Sequence, residues 1–233
     1  MGGLLYGIDR YYLFLVLPTI ILGIIAQIKV KTTYSKYSGI LNSSNLTGCD
    51  IAKMILAKGG VNGVAVMPIT GELTDNYKPS EATVNLSSGV YASNSIAALG
   101  IAAHECGHAI QHDRGYIPVK IRSALVPVVN FSNGLSWIVI IVGLMMANNT
   151  IAMIGVLIMS FATIFYLVTF PVEVNASRRA VKQIKELGVA SEEDLKGIKK
   201  VLSAAAATYL TALLTSVASL LRVFLIVNRS RRD

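Results

Sequence analysis

The feature that most constrains this chain is a set of long apolar segments. The first, from Tyr11 to Ile28, contains no charged residue. A helix rises by about 1.5 Å per residue, so a segment of this length spans most of a hydrocarbon layer about 30 Å thick. Further apolar runs lie at 135–147, 151–170 and 206–227. The chain is 53% hydrophobic and only 15% charged, which exceeds what a soluble domain needs for its core. These runs predict about four transmembrane helices.

The spans divide the chain into water-facing and membrane segments. The first run is predicted to be an uncleaved anchor, because its single upstream basic residue, Arg10, lies beside Asp9 and no small-residue cleavage site follows. The predicted organisation is an N-terminal transmembrane helix, a water-facing catalytic region, a transmembrane hairpin, a basic helical segment, and a C-terminal transmembrane helix with a basic tail. The corresponding residues are 1–29, 30–122, 123–171, 172–204 and 205–233.

Local patterns predict the elements of the water-facing region. Thr47 caps a short helix that stops at Gly59, and the polar run 93–95 opens a longer helix over 96–113. Strands are expected at 61–69 and 82–86, separated by a turn-rich stretch over 71–81. After Pro171, a separate basic helix is expected over 172–188, and residues 191–194 resemble the cap of another helix.

The chain has a net charge of +8, and the distribution of its basic residues along the sequence indicates which partner they attract. Most basic residues flank apolar runs, where anionic lipid head groups attract them, so the expected partner is the lipid bilayer and not nucleic acid. If the spans alternate, the water-facing region and the basic segment lie on one side, which holds sixteen of the 21 basic residues. The positive-inside tendency then predicts a multi-pass cell-membrane protein with this side in the cytoplasm. Arg229, Arg231 and Arg232 favour the opposite orientation.

The sequence H-E-x-x-H occupies residues 104–108 within the predicted helix over 96–113. His104 and His108 are four residues apart, so their imidazoles lie on one helix face and are able to bind a single Zn²⁺ ion. Glu105 lies beside them, where its carboxylate is placed to take a proton from a zinc-bound water and pass it to the leaving amine. All three histidines of the chain fall within nine residues, which favours a metal site over coincidence.

A catalytic zinc site usually has a third protein ligand. His112 is about 12 Å of axial rise from His104 on a continuous helix, so it is expected on the helix surface or beside the ligands. Among the acids on the same side, Glu173 is placed best, because it follows an apolar span immediately. The alternative interpretation of Glu173 is an acid at a helix N-terminus, stabilised by the helix dipole. Position alone does not separate these two possibilities.

Four motifs resemble the YugP-type neutral zinc metallopeptidases of bacterial membranes, a family similar to the gluzincins, which include the membrane-bound CAAX prenyl and HtpX proteases. The resemblance covers nearly the whole chain. It depends on LTDNYKP at 73–79, the run VYASNSIAALGIAAHECGHAIQH ending at His112, FPVEVNASRRA from Phe170, and VLSAAAATYLTALL from Val201. It implies an α+β membrane protein with about four transmembrane helices and a small gluzincin-like domain, made of the active-site helix and a small sheet.

The resemblance also implies site residues. Glu173 begins a segment similar to the gluzincin E-x-x-A-D signature, which implies that Glu173 is the third zinc ligand. This chain carries Ser177 where that signature has an aspartate, which often orients a zinc-binding histidine. Asp113, Asp75 or a backbone carbonyl are the alternatives for that role.

For contacts with the substrate, the sequence offers only candidate segments and residues. In gluzincins an extended substrate commonly adds to a sheet edge beside the zinc helix, and the resemblance assigns Ala82–Leu86 to that edge, although a structural strand is an equal alternative. A tetrahedral oxyanion needs a nearby hydrogen-bond donor. The candidates are Tyr77, His112, Arg178 and Arg179, which the sequence does not rank.

Taken together, these features predict a zinc-dependent membrane endopeptidase that hydrolyses peptide bonds of proteins or peptides at the membrane surface. A catalytically silent zinc-binding scaffold or regulator is the first alternative. The presence of Glu105 argues against it, because zinc binding by two histidines and Glu173 would not require that residue. A transporter is the second, but the predicted spans carry almost no ionisable group apart from Arg222. Substrate identity and oligomeric state do not follow from the sequence.

Overall fold

The computed structural model describes residues 9–229 of this chain. It is mostly helical and contains a small sheet, which confirms the α+β prediction. Arg231 and Arg232 of the predicted basic tail, and the first eight residues of the predicted N-terminal segment, lie outside the described residues.

The elements follow one another along the chain with short connections. A π-helical turn, Tyr12–Val16, leads directly into the first α-helix. The helices are α1 (Leu17–Ser38), α2 (Gly48–Gly59), α3 (Ser88–Tyr91), α4 (Ile96–Asp113), α5 (Ile117–Met145), α6 (Asn149–Leu187) and α7 (Glu192–Arg229). The strands are β1 (Ala65–Ile69), β2 (Asn76–Lys78) and β3 (Thr83–Ser87).

Within residues 9–229, four helical segments are long and apolar enough to cross a membrane, as predicted. They are Tyr12–Ser38, Ile117–Met145, Asn149–Leu187 and Glu192–Arg229. Fewer than a quarter of the residues in each apolar window are buried inside the protein. Exposed Leu, Ile and Phe side chains on such helices are expected where the surrounding solvent is lipid.

The chain divides into two compact units. The first consists of the described residues within Met1–Ala26, Ile121–Phe170 and Thr208–Asp233, and its buried cluster includes Ile140, Val156 and Val223. The second consists of Gln27–Lys120 and Pro171–Ala207. Its larger core surrounds α4 and includes fully buried apolar side chains from four helices, such as Ile51, Ile55, Leu99, Ile184 and Ile198.

Local chemistry explains why α2 and α4 begin where predicted. Thr47 and Asp50 form a capping box at α2, in which each side chain accepts a hydrogen bond from the backbone N–H of the other. Gly60 ends that helix with a φ of +67°, a conformation that favours glycine. The Ser95 hydroxyl caps α4 by accepting a hydrogen bond from the N–H of Ala98 at 3.1 Å.

The sheet differs from the prediction in two respects. Its strand order is β1-β3-β2, with β1 parallel and β2 antiparallel to β3. The stretch 71–81, predicted to be a turn region, contains the strand β2. The sequence does not reveal this strand, because three residues are too few to give an alternating pattern. Ala82–Leu86 is not an edge: β3 pairs on both sides and is largely buried. Among the described residues, β1 and β2 are therefore the two edge strands of this sheet.

The prediction of a separate helix after Pro171 is wrong. The helix α6 is continuous through Pro171, so Glu173 lies in its interior and not at an N-terminus. Proline removes one backbone donor and strains the preceding turn, at a cost of about 3 kcal/mol. Burial of the apolar side chains of Val172 and Ala176 directly after the proline offsets part of that cost. This geometry excludes the interpretation of Glu173 as a helix-start acid.

The start of α7 is joined to the loop before α2 by Asp194. This carboxylate is 3% exposed and accepts hydrogen bonds from the backbone N–H of Ser43 at 3.1 Å and of Ser191 at 3.0 Å, and from the Ser43 hydroxyl. One acidic side chain thereby satisfies donors from two segments that are distant in sequence.

Replacing Asp194 with Asn should lower the free energy of unfolding by about 1–3 kcal/mol, because hydrogen bonds to a buried charge are lost. Thermal unfolding of the purified protein in detergent, followed by circular dichroism, measures the change. Glu193→Gln is the matched control, since Glu193 is exposed in the same helical turn. Equal midpoints for the two variants would show that the Asp194 contacts contribute nothing.

Candidate metal centre

The helix α4 presents His104 and His108 on one face, one turn apart. Their ring centroids are 4.8 Å apart and the ring planes are nearly perpendicular, at 83°. Both residues are half-buried, so their rings are held by packing yet remain accessible. This arrangement is the one that the H-E-x-x-H spacing predicts for a shared ion.

The helix α6 supplies the third group. The Glu173 Oε2 atom lies 3.3 Å from the Nε2 atom of His104 and 3.4 Å from that of His108. The ligand atoms of the three residues all lie within 4.8 Å of one another. Two ligands bound at about 2.1 Å with a tetrahedral angle are about 3.4 Å apart, so this donor set fits a zinc ion.

Close contact between α4 and α6 depends on Gly107. A Cβ atom added at this residue would lie only 2.7 Å from the carbonyl oxygen of Ala176 and 3.2 Å from its carbonyl carbon. Both are backbone atoms, which cannot rotate away. Sequence reasoning treated Gly107 as an unspecified position of the motif. The structure shows that it permits the helix contact that brings Glu173 to the histidines.

Ser177 contacts His104 in the way expected of the residue that orients a zinc-binding histidine, a role for which the sequence left several candidates open. Its Oγ atom lies 3.2 Å from the Nδ1 atom of His104. A hydrogen bond at Nδ1 leaves Nε2 free to face the metal. Asp75 instead accepts a hydrogen bond from the N–H of Ser87 at 2.7 Å, and Asp113 lies 3.6 Å from Arg114, so neither aspartate orients a histidine of the centre.

Gln111 orients the second histidine, and sequence reasoning missed it. Its Oε1 atom lies 3.0 Å from the Nδ1 atom of His108, and its side chain is fully buried. Its amide group donates to the Val172 carbonyl at 2.8 Å and to the Asn175 side chain at 3.0 Å, which joins α4 to α6. The sequence feature that could have identified Gln111 is its spacing of three residues from His108, which places both residues on one helix face.

Glu105 is buried beside the two histidines, with 8% of its surface exposed. Burial raises the pKa of its carboxyl, while the charges of His104 and His108 act in the opposite direction. The net direction is upward. A carboxylate with a raised pKa is a stronger base, which suits a group that must accept a proton near neutral pH.

The remaining candidates, Tyr77, His112, Arg178 and Arg179, lie in three different places. The Tyr77 hydroxyl lies 3.4 Å from the Nδ1 atom of His112, which is exposed and outside the ligand group. Arg179 donates to the Asn175 side chain at 2.8 Å and lies over the ring of Tyr116. Arg178 lines a cavity together with Ser177.

The fold and this ligand set define a membrane protein of a zinc peptidase class. A family model described as "Putative neutral zinc metallopeptidase" matches residues 12–228, and the chain belongs to that family. It is also similar to "Putative membrane protease YugP" of Bacillus subtilis (strain 168), with 40% identity over 222 residues that cover 95% of this chain and 99% of that protein. No solved structure matches. The predicted resemblance and the zinc cofactor are confirmed.

Gly107→Ala should lower the zinc content of the purified protein severely, because the added methyl group would force α4 away from Ala176 and separate Glu173 from the histidines. Elemental analysis by mass spectrometry measures zinc per chain. Gly134→Ala is the control, since a Cβ there meets no atom within 4 Å. Full zinc occupancy in Gly107→Ala would show that the helix contact is not required.

Gln111→Leu should weaken zinc binding by about 10- to 100-fold, because the ring of His108 loses the acceptor that orients it. Competition with a fluorescent chelator measures the zinc Kd. His112→Leu changes the adjacent, exposed residue and should leave the Kd unchanged. An unaltered Kd in Gln111→Leu would contradict the assigned role.

Proposed function

We propose that this chain is a zinc-dependent membrane endopeptidase that cleaves peptide bonds of proteins or peptides at the membrane surface. The observation that supports it most strongly is the convergence of His104, His108 and Glu173 beside the buried carboxylate of Glu105. Zinc binding alone needs the first three residues and has no use for the fourth. A buried acid beside a metal ligand set is placed to serve as the general base of metal-assisted hydrolysis.

In the proposed mechanism, His104, His108 and Glu173 would hold the zinc ion. When bound, zinc supplies a Lewis acid that polarises the peptide carbonyl and lowers the pKa of water. Glu105 would accept a proton from the attacking water as the oxygen bonds to the carbonyl carbon, and it would then donate that proton to the amide nitrogen as the carbon–nitrogen bond breaks. Ser177 and Gln111 keep the two imidazoles oriented throughout.

The substrate is proposed to bind along the free edge of β2. Within the described residues this strand pairs with β3 alone, and its Tyr77 contacts His112 on α4. An extended peptide added to this edge would gain main-chain hydrogen bonds beside the zinc helix. Of the four oxyanion candidates, Tyr77 and His112 are supported best, because their side chains meet where β2 contacts α4, whereas Arg179 is already bonded to Asn175.

The active site is proposed to face the cytoplasm. The support is the distribution of charge, since the two segments that contribute the centre carry most of the basic residues of the chain. A catalytically silent zinc-binding scaffold is the competing function, and no structural observation favours it over hydrolysis. Both functions involve bound zinc, so a cleavage assay distinguishes them and a measurement of metal content does not.

Glu105→Gln should retain zinc and lose cleavage by at least about 10²-fold, because the amide cannot accept the proton. The assay compares zinc content with cleavage of casein and of a membrane-protein substrate by the detergent-purified protein, with and without a chelator. Glu192→Gln, which changes an exposed acid on α7, is the control.

Near-normal proteolysis by Glu105→Gln would remove the proposed base. A wild-type protein that binds zinc and cleaves neither substrate would instead support the scaffold function.

A further inference from the structure

A basic groove of about 500 Å³ lies between α1 and α7, within the second unit. It is separate from the metal centre, because none of the three candidate ligands lines it. The residues that line it are Lys29, Thr32, Thr33, Lys36 and Tyr37 of α1, and Lys199, Lys200 and Ser203 of α7.

The lining residues follow helical spacing. Those of α1 recur at intervals of three or four residues, from Lys29 to Tyr37, so they form one face of that helix. On α7, Lys199 and Ser203 are likewise one turn apart. The groove is therefore a property of two regular helices and not of a loop.

The groove carries a concentrated positive charge. Four of its eight lining residues are lysines and none is acidic. In the described part of the chain, none of these four ammonium groups forms an ion pair with a carboxylate. The hydroxyl group of Thr33 adds a further hydrogen-bond donor, whereas the Thr32 and Ser203 hydroxyls donate to backbone carbonyls of their own helices. Ammonium and hydroxyl donors around one concavity match the oxygen atoms of a phosphate group.

The groove also lies at a defined level of the two helices. Lys29 directly follows the apolar run that ends at Ile28, and Ser203 shortly precedes the run over 206–227. If these apolar runs span the bilayer, both helices pass from hydrocarbon to water at the residues that line the groove. This is the level at which phospholipid head groups lie, and basic pockets there bind anionic ones.

We propose that this groove binds the phosphate head group of an anionic phospholipid. The observed volume is within the range of small-ligand sites. The lysine side chains supply the positive charge that the phosphate group of such a lipid requires. A lipid held here would contact two helices of the membrane-spanning set at once.

The test uses the full chain, purified in detergent, and native mass spectrometry with dioleoylphosphatidylglycerol or dioleoylphosphatidylcholine. The variant Lys29→Gln/Lys36→Gln/Lys200→Gln should reduce phosphatidylglycerol binding by at least about tenfold, to the level of phosphatidylcholine. Its zinc content should be unchanged. Arginine at the same three positions should restore binding, which excludes misfolding as the cause of the loss.

The matched control is Lys53→Gln/Lys185→Gln/Lys196→Gln, which removes the same charge from exposed residues outside the groove. Equal loss in both triple variants, or no loss in the groove variant, would overturn the proposal. Inorganic phosphate at millimolar concentration should not displace phosphatidylglycerol. Displacement would assign the groove to free phosphate and not to a lipid.

Discussion

The contact between α4 and α6 at Gly107 is the constraint on which the metal centre depends. Two histidines on one helix provide only part of a zinc site, and the third ligand comes from a segment that is distant in sequence. The hydrogen side chain of Gly107 lets the backbone at Ala176 approach closely enough for the Glu173 carboxylate to reach both imidazoles. A close-packed interior has no room for an extra methyl group between two backbones, so the residue at position 107 controls the ligand geometry.

The continuity of α6 has a related consequence. One helix carries an apolar stretch, then Glu173, and then Ser177 one turn later, so a ligand and the partner of a second ligand share one rigid element. A break at Pro171 would have left Glu173 on a frayed helix start. Burial immediately after the proline stabilises the continuous form, and the carboxylate is held with 2% of its surface exposed.

The polar groups around the histidines show that the orienting function does not require an acid. A hydroxyl at Ser177 and an amide at Gln111 contact the Nδ1 atoms that carboxylates contact in many zinc sites. Neutral partners add no negative charge near the ligand group. Burial is the main cause that raises the pKa of the Glu105 carboxyl, and this residue is the candidate base beside the ligands.

The sequence by itself determined the features that depend on local spacing and composition: the four apolar spans, the capped helices, and the placement of His104 and His108 on one face of α4. The tertiary structure alone decided which side chains meet across elements, namely Glu173 with the histidines, Gln111 with Asn175, and β3 at the centre of the sheet. The physical reason is that helical periodicity is encoded within a few residues, whereas the approach of two helices depends on steric fit between backbones that are distant in sequence. Gly107 illustrates this limit, because its importance becomes visible only when Ala176 is placed against it.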